Sequence, residues 1–150
     1  MYTNANATLY NYHKNKTTGK ETYTKTYLKS VFWDDTKQAN VLKSGLSTIE
    51  SVSVYIPFSI DADGKEYLPS KEYARLEESE LNKYFTFAVN SKDFMIQGLI
   101  DYDVDNTSSQ TVSASIQYIK NTYDKIMTIS VVDEKNYGSD SMRHWEIGGK

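Results

Sequence analysis

Residues 51–58 read SVSVYIPF, and this run sets the class of fold. Val52, Val54 and Ile56 alternate with Ser53 and Tyr55, the period of a strand with one face against a core. Pro57 then removes the donor that would continue the ladder. Few stretches of the chain carry helical spacing, so the strand reading spreads outward in both directions from here.

Upstream, TYTKTYLKSVFW at 22–33 is dense in β-branched and aromatic residues. Simple alternation puts Leu28 with Phe32 on one face and Tyr23, Tyr27, Val31 and Trp33 on the other, as in a strand covered on both sides. Asp34 and Asp35 are expected to turn it into a second run through Val41 and Leu42, making a hairpin. Residues 1–21 are rich in Asn, Thr and Lys around Leu9, Tyr10 and Tyr12 and read as a partly extended N-terminal arm, which includes His13.

Downstream, residues 59–81 carry the turn pair Asp63-Gly64, a Ser70 able to cap a short helix, and mixed charges, which together predict a long surface excursion. Phe85, Phe87 and Val89 share one face, and after the turn NSKD the run Phe94, Ile96, Gly98, Ile100 is expected to pair with them as a second hairpin. Val112, Ile116, Ile119 and Tyr123 recur at helical spacing, so an amphipathic helix is expected between Gln110 and Tyr123. Met127, Ile129 and Val131 alternate as another strand. The fold class that follows is mainly β (α+β): a small antiparallel β-barrel or sandwich with one amphipathic helix and an inserted loop, in a single domain over 1–150.

The chain of 150 residues has no cysteine, which excludes disulfides, thiolate nucleophiles and thiolate metal sites. Seventeen basic against twenty acidic residues, for a net charge of −3, give no basic patch for gripping nucleic acid. No apolar run approaches the length of a membrane span, and the first residues lack the apolar centre of a secretory signal. Thirteen tyrosines stand out. Tyrosine joins a large apolar ring to a wet hydroxyl, which suits half-buried strand faces and contact surfaces.

Few residues could carry chemistry. Asp101, Asp103 and Asp105 in DYDVDNT have the spacing that begins a calcium loop, but the glycine and bidentate glutamate positions of such a loop hold Asn106 and Val112. The expectation there is a solvated strand end or a lead-in to the helix. The two histidines, His13 and His144, lie near the two ends of the chain. No nucleophile elbow, zinc-helix or phosphate-loop motif is present, and His144 beside Glu146 is expected to be a solvent-facing pair. Neither an enzyme nor a cofactor is expected, and no metal ligand is assigned.

The last ten residues, SMRHWEIGGK, are the least expected feature. Ends of chains are commonly frayed and polar, so an alternation that sets Trp145 and Ile147 opposite His144 and Glu146 predicts docking onto something. That something is either this chain's own fold or a neighbour. Residues 138–150 are read as an extended C-terminal tail, with Met142, Arg143, His144, Trp145 and Ile147 as candidates for a subunit interface and Trp145 as the anchor.

Taken in order, TYLKSVFWDDTK, SVSVYIPF, DGKEYLPSKEY, KYFTFAVNSKDFMIQG, QYIKNTYDKIMTISVVDEKNYGS and HWEIGGK resemble the small head–tail connector proteins of tailed bacteriophages infecting Gram-positive bacteria, in the head-closure or stopper group. The resemblance covers nearly the whole chain. It implies a small barrel or sandwich with an inserted loop, assembled as a homo-oligomeric ring at the virion neck after synthesis in the host cytoplasm. Its implied partners are a portal or adaptor protein, a tail-terminator or tail-completion protein, and packaged DNA in transient, non-specific contact. Val52–Pro57, Lys92 to Gly98 and Gly138 to Gly149 match the family's phrases. The excursion at 59–81 takes the position of its channel loop, with Asp61, Asp63, Lys65 and Glu66 as channel-loop candidates. A carbohydrate- or host-surface-binding module of a phage tail is the alternative expectation.

Overall fold

The computed structural model describes residues 2–35 and 52–150 in full, and the backbone of 38–42 and 45–49. Six strands close into an antiparallel barrel: β1 (Ala5–Lys14), β2 (Glu21–Asp34), β5 (Val52–Pro57), β10 (His144–Gly149), β9 (Ile126–Lys135) and β8 (Phe94–Gln97), with β8 returning to β1. Closure removes the open edges that an unbarrelled sheet would have to protect. Between β2 and β5 the chain inserts β3 (Gln38–Leu42) and β4 (Gly45–Ile49), which pair with each other.

β5 is a core strand as the alternation requires: Val54 and Ile56 are fully buried, and its two edges pair with β2 and β10. The long hairpin of the fold is a different one from that expected. β2 pairs with β1 from Lys14–Glu21 onward, and it does not pair with β3. The supposed N-terminal arm is therefore a barrel strand. Its inward positions Ala7, Leu9, Asn11 and His13 keep strict alternation; the pattern is masked in sequence because two of the four are polar.

Alternation fails at two places, and each is a bulge. Ser30 takes a left-handed φ of 76°, and the β1–β2 register moves from Ala7–Leu28 to Ala5–Val31. Three residues of β2 there span two of β1, so Leu28 and Val31 both point into the core and Phe32 points out. The backbone N–H of Ser30 donates to Asn6 Oδ1 at 3.0 Å, which holds the irregularity. In β9 the register shifts between Gly148 and Gly149, so Met127 and Ile129 are buried while Val131 faces solvent.

The second expected hairpin is also replaced. β6 (Glu66–Tyr67) and β7 (Tyr84–Phe85) form a short parallel pair, and β8 joins the barrel between β1 and β9. Phe85 and Phe87 are buried, but Val89 is exposed. The backbone turns away instead at Asn90, whose Oδ1 accepts from the N–H groups of Lys92 and Asp93.

Residues 59–81 do not stand clear of the fold. Ala62, Tyr73 of α1 (Ser70–Ala74), and Leu81 of the 3-10 turn Glu78–Lys83 are all buried. Ser70 is the first residue of α1 and Pro69 its cap, with no capping hydrogen bond from a side chain.

α2 (Ser109–Thr122) forms as the spacing predicts. Its start is closed by a reciprocal cap, Thr111 N–H to Ser108 Oγ and Ser108 N–H to Thr111 Oγ1. Val112 and Ile119 bury a second apolar cluster with Tyr10, Phe94, Ile96 and Val104 on the outside of the barrel. This explains why Phe94, Met95 and Ile96 are buried in succession: Met95 faces the barrel interior and its neighbours lie beneath the helix. The mainly β, α+β architecture with a helix against the sheet is thus the fold of this protein.

Candidate functional site

β10 lies between β5 and β9, with Trp145 opposite Ile56 and Ile147 opposite Val54. Trp145 is 4 % exposed and Ile147 0 %. The indole packs 4.5 Å from the Phe58 ring, 4.7 Å from Tyr67 and 5.3 Å from Phe87. The expectation that these two residues anchor a neighbouring subunit is corrected: the tail closes this chain's own barrel. Burying two such side chains stabilises the fold by about 1.5–3 kcal/mol each, which an unpaired tail would forgo.

The remaining interface candidates lie at the surface. Met142 is exposed, Arg143 is half-buried and reaches Asp140 at 3.3 Å, and His144 Nδ1 lies 2.8 Å from the Met142 carbonyl oxygen. His144 belongs to a larger feature that sequence alternation did not reveal. Four rings follow one another across the outer face of β2, β5 and β10: Tyr2 to Phe32 at 5.7 Å, Phe32 to Tyr55 at 5.7 Å, and Tyr55 to His144 at 5.9 Å.

Register places each ring. Phe32 is opposite Tyr55, and His144 is two pairs further along β5, opposite Pro57 and on the same face. Tyr2 is held by Asn4, whose side chain accepts from Trp33 N–H at 2.8 Å and donates to Trp33 carbonyl oxygen at 3.1 Å. Phe32 reaches this outer face only because the Ser30 bulge reverses the strand's parity. Exposed Val131, Tyr137 and Met142 extend the apolar character of the neighbouring surface.

Carboxylates flank the rings. Burial, then Glu146 and Asp34, raise the Tyr55 hydroxyl above the ordinary tyrosine range. Glu146 faces Asp133 across the β9–β10 pair, and Asp133 is bonded to Lys135 at 2.7 Å. The opposite end of the β1–β2 hairpin is basic: Lys14 and Lys16 lie there, both exposed. Eleven residues of β2 separate Glu21, the partner of Lys14, from Phe32, about 35 Å of strand.

The channel-loop candidates are tied to β2. Asp61 bridges Lys29 by backbone pairing, Lys29 Nζ reaches Asp63 at 3.1 Å, and Lys65 Nζ donates to Lys25 carbonyl oxygen at 2.6 Å and Thr26 Oγ1 at 3.0 Å. Burial holds Lys65 below the usual lysine range. Glu66 stays exposed. Asp61, Asp63 and Glu66 together with Lys29 still present a mixed-charge surface, but on a fixed turn.

Asp101 and Asp103 face a cation that the protein itself supplies, Lys25 Nζ at 3.6 and 3.1 Å. Asp105 instead accepts from the Thr107 N–H and hydroxyl, which lowers its pKa and shapes the lead-in to α2. Among the described residues no group of three or more His, Asp and Glu side chains could hold a metal ion. His13, expected in a loose arm, is buried on β1.

Geometry and surface together define a small closed antiparallel β-barrel with a packed helix and a two-ended exterior, aromatic and acidic at one end and basic at the other. The chain belongs to DUF6751, a family of unknown function, whose model matches residues 2–150. No curated protein and no solved structure matches it. Among the described residues no helix is long and apolar enough to cross a membrane.

Proposed function

We propose that this protein is a structural component of the virion neck of a tailed bacteriophage, joining head to tail as a ring of identical subunits and helping to retain packaged DNA. The observation that carries the reading is the row Tyr2, Phe32, Tyr55 and His144 on the outer face of the barrel. An exterior surface of half-exposed rings is the composition of a protein contact, since aromatic rings supply area at little cost in rotamer entropy. The occupant proposed for it is a second copy of the same chain. The ring row is edged by Asp34 and Glu146, with Lys135 opposite His144, and Lys14 and Lys16 stand beside Glu21 at the far end of the same hairpin. Complementary ends on one molecule favour head-to-tail association, which closes into a ring when the rotation per subunit divides the circle.

The sequence resemblance supplies the neck assignment, and the barrel with a segment inserted between β2 and β5 accords with it. In that setting β3 and β4 make a better inserted element than residues 59–81, because the latter are pinned to β2. A net charge of −3 suits a channel wall past which DNA slides without sticking. A portal or adaptor above and a tail-completion protein below are the partners this reading requires.

Negative-stain imaging and sedimentation of the purified protein test it, followed by addition to DNA-filled heads that lack this protein. Rings, and heads that then retain DNA, support the proposal. Monomers at millimolar concentration that leave such heads leaking would overturn it. A saturable rise in melting temperature with host glycans and no rings would instead favour the tail-module alternative. The convex outside of a barrel, unlike a groove, gives glycans little enclosure.

A further inference from the structure

We propose that a cleft between β1, α1 and residues 86–92 binds a carboxylate, at the same lysine end of the β1–β2 hairpin that the ring contact uses. Its volume is about 280 Å³, enough for a small organic acid or for one acidic side chain. His13, Tyr73 and Thr86 line it, and they are 2 %, 2 % and 1 % exposed. Both ring nitrogens of His13 and Thr86 Oγ1 are buried with no hydrogen-bond partner among the described residues. The Tyr73 hydroxyl is pushed up to about 12 by burial, against a lowering by its hydrogen bond with the Thr24 side chain. His13 and Thr86 therefore hold the wholly unused capacity.

Buried polar atoms left unpaired are destabilising, so three on the wall of one cleft are an unfavourable arrangement for a purely structural role. The packing around them is not loose. On the same strand Asn11, also buried, is fully engaged with Thr86 carbonyl oxygen at 2.7 Å and Asp93 Oδ2 at 2.9 Å. The neighbouring polar network is thus satisfied up to the cleft wall and stops there.

The lining selects the ligand's charge. Lys14, Lys16 and Lys92 line the cleft, Lys92 pairing with Glu21 at 3.6 Å beside it, and among the described residues no Asp or Glu contributes to the lining. Lys92 is held over the Tyr12 ring at 4.3 Å, which fixes its position. Behind these lysines lie groups able to donate, the His13 imidazole and the Thr86 hydroxyl. Ala74, Ala88 and the tyrosine rings supply apolar wall. A carboxylate fits this combination, since its single charge meets the ammonium groups and donors while its carbon skeleton meets the alanines. A phosphate dianion would leave more oxygens without donors, and a cation would meet three like charges.

The carboxylate could come from a free small acid or from an acidic side chain of another protein chain, and one titration series separates these. His13 ring signals are followed by NMR during addition of acetate, butyrate and acetyl-Glu-amide, with sodium chloride at matched ionic strength and the half-exposed His144 ring as internal reference. A saturable shift at His13 alone is expected. Thr86→Val, nearly isosteric, should weaken binding about tenfold by removing one hydrogen bond to a charged group. Lys14→Ser with Lys16→Ser should weaken it further and flatten its salt dependence. Acetyl-Glu-amide binding at least as tightly as acetate would identify a side-chain ligand; binding of acetate and butyrate alone would identify a free acid. Shifts reproduced by chloride, or titrations unaltered by Thr86→Val, would overturn the proposal.

Discussion

Gly149 lies so close over Thr128 that a Cβ at 149 would overlap the Thr128 carbonyl oxygen and stand 2.8 Å from Met127 Cγ. Backbone hydrogen bonds between Thr128 and Lys150, the shorter at 2.8 Å, lock this approach. The end of β10 is thereby clamped to β9. Gly149→Ala should destabilise the protein by about 1–3 kcal/mol through overpacking. Gly148→Ala, whose added carbon meets Val131 at an ordinary 3.6 Å, should stay close to wild type. Urea denaturation of the two variants checks the contrast.

Trp145→Ala should cost about 3–5 kcal/mol, the range for removing a buried aromatic side chain from a core. Truncation before Met142 removes a strand paired on both edges, so the shortened chain should fail to fold. Circular dichroism and near-ultraviolet spectra read both results. A truncated chain that stayed folded but lost assembly would return the tail to the role of an interchain strand.

The ring row separates folding from association. Phe32→Ser combined with Tyr55→Ser removes the two central rings while leaving the inward-facing Trp33, Val54 and Ile56 in place. Because aromatic pairs contribute about 0.5–1.5 kcal/mol beyond their area, the fold should survive with a modestly lower melting temperature. Sedimentation should show rings converted to monomers. Rings that persisted in this variant would place the subunit contact elsewhere.

Asp93 provides a pH test. Burial raises its pKa above the ordinary aspartate range, outweighing the hydrogen bonds it accepts from Tyr12 N–H, Asn90 and Asn11. The folded protein then holds this proton more tightly than the unfolded chain. Its contribution is fully present below the unfolded pKa and is lost as pH rises through the folded one. The stability of wild type relative to Asp93→Asn should therefore be greatest in acid, decline through that window and level off above it, as read by urea denaturation at a series of pH values.

Calcium should leave the protein unchanged, because Lys25 already pairs with Asp101 and Asp103 and the next carboxylate, Asp105, is turned onto Thr107. A shift in melting temperature beyond about 1 °C at millimolar calcium, which mass action would produce from a folded-state site, would contradict this.

Local periodicity was sufficient for the class of the fold, for β5, for α2 and for the opposite facing of Trp145 and His144, because each depends only on which residues are apolar at spacings of two or of three and four. It was insufficient wherever a strand changes phase or finds its partner at a distance. Nothing near Phe32 announces that Ser30 will enter the left-handed region, since Asn6, which accepts its N–H, lies 24 residues away. That bulge alone turns Phe32 outward and completes the aromatic row. β1 was hidden because Asn11 and His13 occupy inward positions that alternation reserves for apolar residues, and their burial is compensated by, or directed toward, groups far along the chain. Pairing partners and phase are set by the free energy of closing the whole barrel, a sum over contacts that no local stretch contains; that sum, and not the pattern of residues 142–150, decided that the last strand would complete its own molecule.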